Sequence, residues 1–427
     1  MNLELALHTV NTLAFGQSTR LDGSSLVVAP DELRAHLLTD DTLESIDLEI
    51  VAPGEDCRVG PIFDIIEPRS KAPGGSPDFP GILGPPVTAG EGTTHVLQGM
   101  AVTVLDEEKD GGTSQGAMGR VLEMRGPAAE VSLYSALHHL VVVPHARAGR
   151  ERHSAKRANR VAGLKTAVYL ARAAHAHAPA EMVRQEPVGP VLSGREGLPR
   201  VAYIGQIFSR QRRAEVDEPV LYGASTTGML PVVLHPDEWQ DGALVTSYYT
   251  SMGGAETYCY QNHPVIMDLQ RRHQARELNF VGTVATIAGA DDIDRARNCQ
   301  AAAYLVQWAL SADAAVLTKY GGGVPHADLA ETARLLETMG IRTSVMVSDV
   351  SRDRRVESAL LFNFPEVDAI VYAGGNDTRW PVGPVERVVA GSPAMSELLA
   401  GARELKALNV VGVTNQQGVS RLRAVVY

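Results

Sequence analysis

Cysteine is scarce in this sequence, and its scarcity excludes two classes of small structural site. The chain of 427 residues contains three cysteines, Cys57, Cys259 and Cys299, which are odd in number and widely separated. Such spacing supplies neither a disulfide framework nor a CxxC zinc site. The amino terminus also lacks a basic segment followed by an apolar run, so we expect no signal peptide and a cytoplasmic protein.

Excess positive charge and long apolar runs are missing as well. The formal net charge is -11, whereas a surface for nucleic acid or for an anionic membrane needs clustered Lys and Arg. No stretch approaches the roughly 20 consecutive apolar residues that span a bilayer. We therefore expect neither nucleic acid nor a membrane among the partners.

The length and composition favour two folded domains. A chain with 44% hydrophobic and 21% charged residues can bury real cores, and its length exceeds the size at which one core keeps growing. Residues 1–195 contain irregularly spaced short strands and helices, which predicts a mixed α+β domain. Residues 196–427 alternate apolar strands with helices, which predicts a doubly wound, mostly parallel α/β domain. The predicted fold class is therefore α/β.

The amino-terminal half contains three informative segments. Residues 61–81 are rich in Pro and Gly, which argues against a helix or a central strand and favours an ordered, irregular loop. Residues 151–177 have helical periodicity. The basic residues in and before this helix are interpreted as a solvated face or a subunit contact; they are Arg147, Arg150, Arg152, Lys156, Arg157 and Arg160.

Histidines in this half have a structural and a functional interpretation. His95 could be a ligand or a proton carrier, although a hydrogen-bonded structural role is favoured on the residues alone. His138 and His139 adjoin an apolar strand and would face opposite sides of it, so they are a poor chelating pair.

The carboxy-terminal strands end in polar segments. Ligands of doubly wound sheets bind beyond the carboxyl ends of the strands. One predicted strand runs into Lys319 and the triple glycine 321–323, followed by His326 and Asp328, and another ends near Asn376. The glycine amides could hold an anion or simply form a tight strand-to-helix turn. A further strand is predicted over residues 410–414.

Residues 241–264 join the two halves. This segment is rich in hydroxyl groups and contains adjacent glycines, Cys259 and a histidine before proline. So many small and polar groups cannot form a hydrophobic core, so we predict an ordered junction loop.

Several stretches resemble one protein family, the precursor subunit of component B of the glycine, sarcosine and betaine reductases, which is related to the D-proline reductase proprotein. The matching segments are residues 66–71 (IEPRSK), 79–81 (FPG), 90–99 (GEGTTHVLQG), 126–130 (GPAAE), 160–165 (RVAGLK), 198–203 (LPRVAY), 241–243 (DGA), 257–258 (TY), 261–262 (QN) and 414–418 (TNQQG). The resemblance runs along the whole chain.

The resemblance implies a specific chemistry. In that family a cysteine attacks the preceding carbonyl, and cleavage converts the new amino terminus to a pyruvoyl group. The pyruvoyl carbonyl forms a Schiff base with the substrate amine, which a selenocysteine or cysteine on a companion subunit then displaces. A chain of this kind is thus expected to bind a small amino acid or amine within a homo- or hetero-oligomer.

This sequence departs from the family at the processing position. Counting from Asp241 places Tyr248 or Tyr249 where the precursor cysteine belongs, and a tyrosine β-carbon bears an aryl ring, not a heteroatom leaving group. Ser247 is a poorer nucleophile and would need a shifted alignment. Cys259, after Tyr258, and Cys299, inside a predicted helix, are the remaining alternatives. We expect no pyruvoyl group and no other cofactor, and the question of a metal stays open.

Three functional hypotheses are compatible with these residues. The first is a reductase-type subunit without pyruvoyl, and the second is a new acid–base or metal site on the same scaffold, in which Lys319 could also supply a Schiff-base amine. The third is a non-catalytic assembly subunit. The candidate catalytic residues are Tyr249, Lys319, His326 and Cys259. The candidate substrate-binding residues are Arg69, Glu91, His95, Tyr248, Gly322, Gly323, Asp328 and Asn376.

Overall fold

The computed structural model describes residues 1–106, 119–210, 218–248, 255–349, 367–375, 379–414, 416–418 and 425–426. In this part of the chain, no helix is both long and apolar enough to cross a membrane. The amino-terminal strands are β1 (Leu3–Thr9), β2 (Thr12–Phe15), β3 (Arg20–Asp22), β4 (Ser25–Val28), β5 (Leu43–Val51), β6 (Cys57–Val59), β7 (Ile62–Ile66), β8 (Arg69–Lys71), β9 (Gly92–Gln98), β10 (Met100–Leu105), β11 (Leu122–Glu123), β12 (His138–Ala146) and β13 (Glu181–Arg184). The helices there are α1 (Pro30–Leu37), α2 (Pro127–Val131) and α3 (Arg152–Arg172), with a 3₁₀ turn at Tyr134–Ala136.

Two four-stranded sheets dominate this half, with strand orders β13-β1-β9-β8 and β5-β12-β10-β7. Helix α3 packs on both, and its apolar stripe belongs to the largest hydrophobic core. The helix lies so close to the sheet at Gly163 that a Cβ added there would lie 2.5 Å from a methyl of Val104 and 2.9 Å from Ile66. Glycine at this position therefore brings the helix close to β7 and β10.

The carboxy-terminal strands are β14 (Arg200–Ser209), β15 (Val232–Leu234), β16 (Asn279–Ala288), β17 (Ala314–Thr318), β18 (Arg342–Asp349), β19 (Ala369–Gly375), β20 (Arg379–Val382), β21 (Arg387–Val389), β22 (Arg403–Lys406) and β23 (Val425–Val426). The helices are α4 (Pro236–Gln240), α5 (Thr257–Gln261), α6 (Pro264–Gln274), α7 (Asp292–Tyr304), α8 (Val324–Thr338) and α9 (Pro393–Ala400), with a π-helical turn at Leu305–Ala309 and a 3₁₀ turn at Ala407–Asn409.

A seven-stranded sheet of order β15-β16-β14-β17-β18-β19-β23 organises this half. Its five central strands are parallel, and the two edge strands are antiparallel. One core packs the sheet against α7 and α8, and another packs it against α4, α5 and α6. The predicted α/β class and the doubly wound, mostly parallel sheet are confirmed.

The last part of the chain returns to the amino-terminal half. Strand β21 pairs in parallel with β6, and a single bridge joins Val410 to Val121. Residues of both halves form one small core there. The division into 1–195 and 196–427 stays a prediction.

Two local predictions were wrong. Residues 410–414 form turns and that bridge rather than a sheet strand. Within residues 61–81 two strands form, β7 and β8, but both lie at the edges of their sheets, where a strand tolerates neighbouring prolines.

Candidate functional site

Asp241, the first residue of the junction loop, is held by two distant segments. Its buried carboxylate forms an ion pair with Lys71 and accepts hydrogen bonds from the Gly90 amide and the Thr94 hydroxyl, each at 2.7 Å. The next residue, Gly242, has a positive φ of 85°, and a Cβ there would lie 2.9 Å from the Phe79 ring. The start of the junction is thereby fixed against segments 66–71, 79–81 and 90–99.

Arg69 fixes the far end of the same junction. Its guanidinium pairs with Glu67 at 2.6 Å, binds the Gln240 carbonyl, and donates to the Asn262 side chain at 3.0 Å. Gln261 adds two hydrogen bonds to the Glu67 backbone, one at 2.9 Å and one at 3.2 Å. We call Glu67, Arg69, Lys71, Thr94, Asp241 and Asn262 the anchor network.

Asp64 lies beneath the junction and is fully buried. Its carboxylate accepts hydrogen bonds from the Thr257 amide at 2.8 Å and from the Thr257 hydroxyl at 2.6 Å, and that hydroxyl accepts one from the Thr246 amide. Burial raises the pKa of Asp64 to about 7, against the opposing effect of these hydrogen bonds. Asp64 therefore carries a proton at acidic pH while it joins residues on both sides of the loop.

This buried acid predicts a measurable pH dependence of stability. The unfolded chain has an ordinary carboxyl pKa near 3.9, so folding takes up a proton between the two values, and the stability from Asp64 is lost as the pH rises towards 7. The variant Asp64→Asn takes up no proton at this position on folding. Its free energy of unfolding, relative to that of the parent, should therefore rise by about 2 kcal/mol between pH 5 and pH 7. Urea unfolding across this pH range measures the difference. The control is Asp31→Asn, at a carboxylate that is 96% exposed; its stability should depend on pH as that of the parent does. If the stability of Asp64→Asn also changed with pH in parallel with the parent, the raised pKa of Asp64 would be refuted.

Tyr248, one of the two tyrosines expected near the processing position of the family, is buried. The Arg160 guanidinium sits 3.8 Å from the centre of its ring, and the His153 ring approaches edge-on at 4.7 Å between ring centres. The Tyr248 amide donates to Glu218 at 2.7 Å. Tyr249 and Asn376 lie outside the described residues.

A second cluster joins Tyr203 of β14 to the carboxyl end of β17. The Tyr203 hydroxyl lies 2.9 Å from His263 Nε2 and 2.7 Å from the Thr318 hydroxyl, and the Gln417 side chain bonds to all three. Gln417 also donates to the Lys319 carbonyl at 3.2 Å. His263 closes the junction segment, so this cluster connects the junction to Lys319.

Lys319 and His326 are both fully buried. Lys319 Nζ donates to the Gly321 carbonyl at 2.7 Å and lies 3.5 Å from Gln416 Oε1, and burial lowers its pKa to about 7. Burial, with the nearby charge of Lys319, lowers the pKa of His326 to about 3. The structure thus brings together two groups predicted from sequence, one an amine that is partly neutral at pH 7.

The remaining predicted residues of this region lie in the turn before α8 and within α8 itself. Asp328 accepts a hydrogen bond from Arg295 at 2.8 Å, and its carbonyl lies 3.5 Å from Cys299 Sγ. Gly322 and Gly323 form the turn before α8. Burial raises the pKa of Cys299 to about 12, so its thiol is protonated at neutral pH.

Three other predicted residues lie apart from this pair. Cys259 lies buried in α5. Glu91 is exposed, and its backbone carbonyl accepts a hydrogen bond from Lys71 Nζ at 2.8 Å. His95 Nδ1 lies 3.0 Å from His8 Nε2, and its ring centre lies 4.8 Å from that of His175. Among the described residues, no group of three or more His, Cys, Asp or Glu side chains could hold a metal ion.

Sequence reasoning missed Asp64, Glu218 and Arg160. Asp64 did have a signal, because it is a lone carboxylate within the apolar run 62–66. Arg160 was grouped with basic residues interpreted as a solvated face or a subunit contact, but only part of that group is exposed, and Arg160 and Lys156 are buried. The sequence did contain a signal that Arg160 is buried, because it lies on the same face of the helix as the alanines of the apolar stripe.

Comparison with known proteins agrees with these motifs. Residues 1–417 match the family model of glycine/sarcosine/betaine reductase component B subunits. The chain is 30% identical over 442 residues to "Glycine reductase complex component B subunits alpha and beta" of Acetoanaerobium sticklandii, covering 100% of both chains. It is 28% identical over 434 residues to the protein of the same name from Peptoclostridium acidaminophilum, covering 99% of both.

Another relative from Peptoclostridium acidaminophilum, "Sarcosine reductase complex component B subunit alpha", is 30% identical over 378 residues, covering 88% of this chain and 86% of the relative. No solved structure matches. The family model spans nearly the whole chain, and its motifs form the anchor network around the junction. The chain therefore belongs to the family of glycine/sarcosine/betaine reductase component B subunits.

Proposed function

We propose that this chain is the substrate-binding subunit of a component B-like reductase complex. It binds a small amino acid or amine for reductive cleavage of a carbon–nitrogen bond, and a thiol or selenol on a companion subunit carries out the displacement. The observation that supports this proposal is the convergence of four family-matching segments at one junction, through Arg69, Lys71, Thr94, Asp241 and Asn262. The complex is hetero-oligomeric and cytoplasmic in this proposal.

The pyruvoyl group of the family does not fit either of the two tyrosines, Tyr248 and Tyr249, at its expected position. Tyr248 has no heteroatom on its β-carbon to leave by elimination, and its ring is packed against Arg160 and His153. In the proposal the chain therefore stays uncut, and its own side chains position the amine. Tyr249, Lys319, His326 and Cys259 remain the catalytic candidates.

Reconstitution tests the function. The purified chain, combined with a companion subunit that bears cysteine or selenocysteine and with a dithiol reductant, should release amine from glycine, sarcosine or betaine. The chain in the active preparation should have the intact mass of all 427 residues and a free amino terminus. Amine release that depends on two fragments with a blocked terminus would contradict the uncut form, and Ser247→Ala, Cys259→Ala and Cys299→Ala would locate the cut.

One observation favours a second function, an acid–base site formed by Lys319, His326 and Asp328. The pKa of the Lys319 amine is lowered to about 7, and its hydrogen-bond partners are a carbonyl and a side-chain amide. A pKa near neutrality is expected of a catalytic base or nucleophile. The reconstitution separates the two functions. Turnover of an amine substrate by the chain alone, abolished in Lys319→Met, supports the second, whereas turnover only with the companion subunit supports the first.

A further inference from the structure

A cavity of about 570 Å³ opens between the loop of residues 71–78 and one face of α3. Its floor includes Lys71 and Asp78, which also line a much smaller cavity beside Asp241 and Arg69. The large cavity therefore reaches the outer edge of the anchor network. Its size falls within the range of roughly 300–1,000 Å³ typical of pockets for drug-sized ligands, well beyond the needs of the simplest amino acids.

The charges of this cavity are unbalanced. Lys71, Lys165 and Arg172 line it, against the single carboxylate of Asp78. Lys71 is committed to Asp241, and Asp78 accepts one hydrogen bond from Arg172 at 3.3 Å and one from the Lys71 amide at 2.6 Å. The Lys165 ammonium is bonded to the Thr39 hydroxyl at 3.3 Å and has no carboxylate partner in the described chain. Among the described lining residues, Lys165 is therefore the cation without a carboxylate partner, and in a protein of net charge -11 it is a local positive charge that attracts anions.

Two histidines, His36 and His175, line the same cavity as these cations. Burial lowers the pKa of His36, and the charges of Lys165 and Arg172 lower it further. Burial also lowers the pKa of His175, and Arg172 and His8 add to that effect. An anion bound beside these imidazoles would raise the pKa of both.

The two outer cations are spaced along one helix. Lys165 and Arg172 are seven residues apart on α3, which places them on the same helical face about 10 Å apart along the axis. Two acidic groups on a short carbon chain match this spacing better than one compact acid, because each group can contact one of the two head groups. Both side chains retain donors beyond the single hydrogen bond that each makes in the described structure.

We propose that this cavity binds a small dicarboxylate, with one carboxylate on Lys165 beside His36 and the other on Arg172 beside His175. The site lies on the approach to the anchor network and is distinct from the strand-end cluster of Lys319. It is a binding site additional to the proposed amine site, and it is assayed without a companion subunit or turnover, so its outcome is independent of the reconstitution.

Titration with glutarate at constant ionic strength, followed by calorimetry and by the imidazole proton resonances, tests the proposal. Glutarate should bind at least ten-fold more tightly than acetate or inorganic phosphate, and binding should raise the pKa of His36 and His175. Assignment of those resonances uses His36→Gln and His175→Gln. Lys165→Gln and Arg172→Gln should each weaken glutarate binding about ten-fold, as expected for a lost charge-assisted contact.

Arg271→Gln serves as the matched control, because Arg271 is an exposed arginine on α6 whose partner is Asp268. Glutarate affinity unchanged in this variant and reduced in the two cavity variants supports the site. Three results would overturn the proposal: glutarate binding no tighter than acetate, equal binding of phosphate, or an affinity within two-fold of the parent in Lys165→Gln.

Discussion

Asparagine in place of Asp241 should lower the free energy of unfolding by about 3–5 kcal/mol. The Asp241 carboxylate is 2% exposed and pairs with Lys71, which is 6% exposed. Asparagine keeps an oxygen for the Gly90 amide or the Thr94 hydroxyl but removes the negative charge, so the Lys71 ammonium is left buried and uncompensated. The cost therefore comes mainly from the stranded cation and not from a lost hydrogen bond. Chemical denaturation at pH 7 measures it.

A double-mutant cycle separates this pair from general damage to the loop. Lys71→Met alone should also be strongly destabilising, because it strands the carboxylate, and the double variant should cost clearly less than the sum of the two. Asp268→Asn provides the control, since that carboxylate is 49% exposed and pairs with arginines at the surface; it should cost under about 1 kcal/mol. Additive single effects, or a cost for Asp241→Asn equal to that of the control, would show that the ion pair does not hold the junction.

The doubly wound sheet was predictable because its signals are local. β16 is buried along its whole length and is mostly apolar and β-branched in sequence. Helix α7 begins with an acidic first turn, and the side chain of its cap, Asp291, accepts a hydrogen bond from the Asp294 amide. Parallel pairing follows from the alternation of such strands with helices. Residues 410–414 have a similar apolar composition, but they are too few and pack between the two halves, so tertiary contacts decide their conformation.

The candidate site was predictable only in part. The family-matching motifs identified segments that lie together in the fold. Lys319 and His326 were selected because they follow the end of a predicted strand. The pairing of Lys71 with Asp241, 170 residues away, depends on the packing of two halves, which no local pattern encodes. The same holds for Asp64 with Thr257. Amphipathic patterning treats a charge on a helix as solvated, so Arg160 was assigned to the wrong face.

Leucine in place of Arg160 should lower the free energy of unfolding by about 3–5 kcal/mol. The guanidinium is buried, binds the Thr246 carbonyl, donates to the Pro219 carbonyl at 3.1 Å, and lies 3.8 Å from the Glu218 carboxylate. Its removal takes the positive charge from beside Glu218, which has no exposed surface, and exposes the face of the Tyr248 ring that the guanidinium covered. Both losses fall on the residues that lead into the junction.

Hydrogen exchange distinguishes a local effect on the junction from uniform destabilisation. In Arg160→Leu, exchange should accelerate most in a peptide covering residues 241–248, whose amide at Tyr248 donates to Glu218, and least in a peptide covering α7 on the opposite side of the sheet. Arg157→Leu, three residues earlier on α3 at an exposed position, should leave both peptides and the unfolding free energy close to the parent. If both variants behave alike, or if the two peptides accelerate equally, Arg160 stabilises the fold without holding the junction. If the junction peptide alone responds, the buried Arg160 guanidinium keeps Tyr248 and the start of the junction packed.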